Sequence, residues 1–118
     1  MSDQELPLEG VTVIECAGIF AGPWTGTLMG DFGAEVIKIE HPEYGDPIRD
    51  GLHDEQLQIK TMARNKKSVA IDLHAEEGQA LVHDLVADAD VFIENFRPGT
   101  LEKWNLGWES LSETNPDL

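Results

Sequence analysis

The stretch Ala89–Gly99, ADVFIENFRPG, holds a short apolar run that rises from acidic surroundings and ends in an amide, an aromatic ring and a guanidinium. Val91 to Glu94 is long enough for one buried strand, and Pro98-Gly99 forces the chain to turn soon afterwards. In open α/β sheets the ligand cleft lies outside the carboxyl ends of the strands, the place where Asn95, Phe96 and Arg97 stand.

The same pattern recurs upstream. Val11–Cys16 is a β-branched run entered from Gly10, and Ala17–Pro23 is a loop of mostly small residues. Pro23 suits a first helical position, with Trp24–Phe32 as the helix and Gly33 as its stop. Glu35–Glu40 reads as a second strand and Lys67–Asp72 as a third. Between them His41–Ala63 carries Pro42, Gly45, Pro47 and Gly51, which predicts a long loop with room for one helical turn. In Glu76–Ala87 the apolar residues Leu81, Val82, Leu85 and Val86 are expected on one helical face. Two short helices, near Thr100–Trp104 and Trp108–Glu113, complete the pattern. Strand, helix, strand, loop, strand, helix, strand predicts an α/β fold with a doubly wound parallel sheet.

At 118 residues the chain has the size of one domain, and 41% hydrophobic residues is the composition of a folding sequence. Its charge is unusual: 23 acidic residues against 8 basic ones give a formal net charge of −15. Such a field repels phosphate backbones and anionic lipids, which argues against nucleic acid and membrane surfaces as general partners. Acid excess along the whole length suits a halophilic protein, in which salt screens the self-repulsion. An acidic protein of ordinary cytosol is the alternative.

The sole cysteine, Cys16, excludes an internal disulfide and any multi-cysteine metal site, and its apolar neighbours predict a buried, inert thiol. The first residues lack a basic start and an apolar core, and no run approaches 18 apolar residues. The expected location is cytoplasmic. Asn115-Pro116-Asp117-Leu118 reads as a helix terminator followed by the approach to another strand. Parallel sheets need both faces covered. Residues 1–118 are therefore expected to be the first part of a longer chain.

Two site readings compete. Small residues after the first strand, a helix start and Glu40 at the end of the second strand suit a nucleotide fold. Yet Gly18-x-x-x-Gly22-Pro23 is not G-x-G-x-x-G, and Pro23 removes an amide that would face phosphate. Close helix–strand packing explains the small residues equally well. The cations say more: Arg64, Lys66 and Lys67 cluster before the third strand, and Arg97 and Lys103 follow the fourth. If the third and fourth strands are neighbours, Asp72-Leu73-His74 and Asn95-Phe96-Arg97 share one rim. Amide, ring and guanidinium together suit an anionic ligand with an aromatic base, against the alternative of solvated turns. His41, His53, His74 and His83 form no i, i+4 pair, so no metal is expected, and neither G-x-S-x-G nor a Ser-His-Asp arrangement is present.

Taken in order, the motifs carry a resemblance. They are Pro7-Leu8-Glu9-Gly10, Ala21-Gly22-Pro23, Asp31–Glu40, Arg64–Leu73, Glu77-Gly78, Ala89–Gly99, Leu106-Gly107 and Asn115-Pro116. From about Leu6 to Leu118 the sequence resembles the N-terminal part of the family III coenzyme A transferases. That family includes formyl-CoA and carnitine-CoA transferases and, as close relatives, α-methylacyl-CoA racemases.

The resemblance implies a CoA-binding, Rossmann-like parallel sheet, the N-terminal part of a larger fold that assembles as an interlocked homodimer. It implies that Ile71, Asp72, Leu73 and His74 line the adenosine side and that Asn95, Phe96 and Arg97 form a contact segment. Lys103 would face phosphate, and Ile19, Phe20 and Ala21 would follow the pantetheine and thioester end. His41 stands where many members carry an arginine for the CoA phosphates. The substrates implied are an acyl-CoA and a free carboxylic acid, joined through an aspartate that forms an anhydride and then a thioester. That aspartate would lie beyond position 118, so this segment alone is expected to be inactive. An acyl-CoA racemase, or a truncated binding or interaction module, is the alternative.

Overall fold

The computed structural model describes residues 5–50 and 57–118; His53 and the middle of the loop 41–63 lie outside the described residues. Four strands, β1 (Thr12–Cys16), β2 (Glu35–Glu40), β3 (Lys66–Ala70) and β4 (Val91–Glu94), form one sheet in the order β3-β2-β1-β4. Every pairing is parallel, with Ile14 opposite Ile37 on one side and Phe92 on the other. Crossovers are made by α1 (Ala21–Asp31), by a 3-10 turn (Pro47–Asp50) with α2 (Leu57–Met62), and by α3 (Glu76–Ala87). After β4 come α4 (Thr100–Lys103) and α5 (Trp108–Thr114). The long loop thus holds two short helical pieces where one turn was expected.

The condition on which the shared rim was read is not met. β3 and β4 are not neighbours; they are the two edges of the sheet, separated by β2 and β1. From β1 the chain winds outward through β2 to β3, then returns across the sheet to β4. The winding direction therefore reverses between β1 and β4. That is the switch point at which doubly wound sheets open a crevice.

Gly33, at φ 105°, lets the chain leave α1 and enter β2, a backbone shape that a side chain would oppose. Alternation along β1 sends Ile14 and Cys16 to one face of the sheet and Val13 to the other. On the first face Ile39, Ile71, Val82, Val86, Leu106 and Leu111 close the main core. Leu81 departs from the expected helical face: it is 53% exposed, while Val82 and Val86 are fully buried.

Candidate ligand cleft at the switch point

Where β1 and β4 end, a cleft of about 310 Å³ opens, lined by the loops after β1, β2, β3 and β4 together with Trp104. Its floor is apolar, from Cys16, Ile39 and Ile71, and burial with the nearby Glu94 carboxylate pushes the Cys16 thiol up to about 12. That thiol is not a nucleophile at neutral pH. Aromatic rings frame the cleft. His41 and Tyr44 stack at 3.8 Å between centroids, and Trp104 takes His74 and Phe96 edge-on at 4.8 and 5.5 Å.

The loop after β1 is held by side chains from three other segments. Asn95 clamps Gly18 from both sides: its Oδ1 accepts the Gly18 N–H (3.0 Å), and its Nδ2 donates to the Gly18 carbonyl (2.8 Å). Asp46 Oδ1 accepts the Ile19 N–H at 3.0 Å, and Lys38 Nζ donates to the Ala17 carbonyl at 3.0 Å. Ile19 lies at φ 67°, a conformation that costs a β-branched residue about 1–3 kcal/mol. The Gly18 and Ile19 amides are thus already taken, so this turn does not cradle a phosphate as dinucleotide folds do. The nucleotide reading of the small-residue loop gives way to the packing one.

Beneath that loop lies a buried ionic cluster. Lys38 Nζ stands 2.7 Å from Glu15 Oε1 and 2.7 Å from Asp46 Oδ2, and Lys66 Nζ lies 2.5 Å from Glu15 Oε2. Glu15 Oε2 and Asp46 Oδ2 make no hydrogen bond of good geometry, so the two ammonium charges are what compensates their burial. Burial pulls the Lys38 ammonium down, but its bonds to Asp46 and Glu15 outweigh it and the group is raised; for Lys66 burial prevails and the group is lowered. Gly26 makes room for the cluster, since a Cβ there would meet Glu15 Oε2. Next to it Glu40 receives Arg49 through two bonds (2.6 and 2.7 Å), Ser68 Oγ (2.6 Å) and the Asp46 N–H (2.9 Å). Led by Arg49, these bonds hold the Glu40 carboxyl at about 2.

The residues singled out from sequence divide. Ile19, His41, Ile71, Leu73, His74, Asn95 and Phe96 share the cleft. Asp72 does not line the cleft; its Oδ1 accepts the N–H of His74, which does, at 2.9 Å. β3 and β4 do not pair, so the residues after β3 reach this rim because Ile71 still bonds the Glu40 carbonyl at the end of β2 (3.0 Å). Phe20 and Ala21 line a separate hollow with Trp24 and Arg64. Arg97 lines, together with Phe96, a separate groove of about 590 Å³ along the outer edge of β4. Lys103 is exposed on α4 and lines neither cavity.

Sequence reasoning missed Tyr44, Asp46 and Trp104. Gly45-Asp46-Pro47 carried a usable signal, since Asp before Pro marks a turn, and here Asp46 Oδ1 accepts the Ile48 N–H at 2.9 Å. Folding also gathers His41, Asp72 and His74, whose ligating atoms fall within 4.8 Å of one another. His41 Nδ1 accepts the Glu43 N–H (3.2 Å), and His74 Nδ1 faces Asp72 Oδ1 (3.3 Å). A metal-bound histidine donates through its second nitrogen, whereas His41 accepts there. Asp72 is lowered chiefly by the His74 backbone N–H.

The model of CoA-transferase family III matches residues 8–118. The chain belongs to this family. Among its relatives, succinyl-CoA–D-citramalate CoA-transferase of Chloroflexus aurantiacus is 54% identical over 95% of this chain and 29% of its own length. The alpha subunit of succinyl-CoA–L-malate CoA-transferase from the same organism is 51% identical over 98% of this chain and 28% of its own. A CAIB/BAIF family protein from Brucella suis superposes with a TM-score of 0.85 at 44% identity, covering 95% of this chain and 32% of that one. The chain therefore spans under a third of the length of these family III relatives.

Proposed function

We propose that this chain is the CoA-binding segment of a family III CoA transferase that moves CoA from an acyl-CoA to a free carboxylic acid. The carrying observation is the family match over residues 8–118 on a fold whose switch point holds an aromatic cleft. Succinyl-CoA is the proposed donor and a small hydroxy dicarboxylate the acceptor, because two relatives above 50% identity are named for those substrates.

In this reading His41, Ile71, Asp72, Leu73, His74, Asn95 and Phe96 receive the nucleotide end of CoA. Ile19, Phe20 and Ala21 follow the thioester end, and Arg97 and Lys103 meet phosphate from outside the cleft. The nucleophile is an aspartate outside these 118 residues. Its carboxylate attacks the thioester carbonyl and expels CoA thiolate, leaving a mixed anhydride. The thiolate then takes the aspartyl carbonyl and releases the donor acid. The acceptor carboxylate repeats the exchange and leaves carrying CoA. No metal takes part.

The whole protein is proposed to be a cytoplasmic, interlocked homodimer in a salt-rich cell. Phe20, Trp24, Leu28 and Phe32, four residues apart on α1 and the two residues that flank it and each at least 42% exposed, form an apolar stripe that an assembly would cover. The test supplies the full-length protein with succinyl-CoA and either L-malate or D-citramalate, and follows the new CoA thioester by chromatography. Transfer by the full-length protein and none by residues 1–118 is expected. Turnover by residues 1–118 alone would place the nucleophile within them, and epimerised acyl-CoA without transfer would make the protein a racemase.

A further inference from the structure

Four consecutive polar groups of the backbone between β1 and α1 bond to side chains rather than to backbone. They are the Ala17 carbonyl, the Gly18 amide and carbonyl, and the Ile19 amide, held by Lys38, Asn95 and Asp46. Turns normally bond within themselves, so a turn held from three remote segments is one whose shape is imposed. The imposed shape is unfavourable to its residue, since Ile19 sits at φ 67° with half its surface exposed at the cleft.

The restraint on the strained residue itself is Asp46, which holds the Ile19 amide. Its side chain is 1% exposed and in turn is fixed from three directions. Oδ2 faces Lys38, Oδ1 also caps Ile48, and its own N–H is taken by Glu40. Lys38 is fixed by Glu15, and Glu15 by Lys66, so β1, β2, β3 and the loop after β2 all converge on one carboxylate. Burying two acids with two lysines is a costly way to fill a core that methyl groups would fill as well. The arrangement makes sense as a device that fixes geometry.

We propose that Asp46, assisted by Asn95, is a positioning residue. Through the Ile19 amide, with Asn95 on the Gly18 amide and carbonyl, it holds the loop in the strained shape that presents Ile19 to the cleft. The inference rests on the transferase reading for what the loop positions, namely the thioester end of an acyl-CoA. It does not rest on that reading for the clamp itself, which is a property of the folded chain.

The experiment measures amide exchange at residues 17–19 by NMR in the full-length protein carrying this chain, for wild type, Asp46→Ala, Asp46→Asn and Asn95→Ala. Asp46→Ala should speed exchange of the Ile19 amide by about tenfold, the loss of one charge-assisted bond, with the β2 amides unchanged. Asp46→Asn keeps an oxygen for that amide and should restore most of the protection. Should the alanine variant fail to fold, Asn95→Ala decides, because Asn95 is exposed and its removal should free the Gly18 amide alone. With an acyl-CoA substrate, Asp46→Ala should lower kcat by several-fold and leave KM within about twofold, as expected for misplacement of the reacting end, while Asp46→Asn should stay close to wild type. Unchanged exchange at residues 17–19, or a loss confined to KM, would overturn the proposal. A wild-type protein that shows no transfer would defeat the transferase reading and leave the exchange result to decide the clamp.

Discussion

On the α3 side of the sheet, Ile14, Cys16 and Ile39 are closed over by Val82, Val86, Leu106 and Leu111. On the α1 side the same strands carry Val13 and Val36 at their lower ends and Glu15, Lys38 and Glu40 at their upper ends, all buried. The first face is what the hydrophobic effect builds, and small changes of side chain there cost only volume. The second face brings charges out of water and recovers the cost only while every partner is present. The charged half lies under the cleft. Apolar packing fixes the fold, while the ionic half fixes the loops that a ligand would touch.

The largest test of that contrast is Lys38→Ala. Removing this ammonium leaves Glu15 and Asp46 buried without one of their two cations. It should cost about 3–5 kcal/mol in urea unfolding, enough to threaten folding. Leu106→Ala, on the apolar face and also fully buried, should cost about 3 kcal/mol. If the leucine variant proves clearly worse than the lysine one, the faces do not differ as described.

A smaller effect comes from Glu40. Its folded carboxyl sits at about 2 against an ordinary 4.5, so on acidification the unfolded chain takes up the proton first. The stability it supplies is complete above about 4.5 and is lost as pH falls toward about 2. Glu40→Gln should flatten that acid slope, with a loss at neutral pH on the order of 2 kcal/mol once the half-exposed Arg49 is discounted. A slope of wild-type size in the variant would assign the acid sensitivity to other carboxylates. The smallest effect expected is a rise in Tm of about a few degrees between low and molar KCl, as screening relieves a net charge of −15. A flat or falling Tm would count against adaptation to salt.

β1, β2 and β4 were legible because each run is short, rich in Val and Ile and has Gly or Pro close by, and the principal helices because they keep helical spacing. Strand order was not. Nothing local to Lys66–Ala70 or Val91–Glu94 says that two other strands separate them, since that depends on which way each crossover winds. Asn95 and Phe96 stood out as polar and aromatic residues at a strand end. Asp46 and Trp104 did not, because their importance comes from contacts across 27 residues to Ile19 and 30 to His74. Glu15 and Lys38 had looked like ordinary members of strands, and their pairing follows from the parallel register that sets them side by side.

Hydrogen exchange of the full-length protein, mapped with and without CoA, decides whether the switch-point cleft receives CoA. Protection is expected at residues 17–20, 41–47, 71–74 and 95–97, with the groove beside β4 unchanged at residues 106–111. Protection confined to residues 106–111, or none anywhere at saturating CoA, would contradict binding in the cleft.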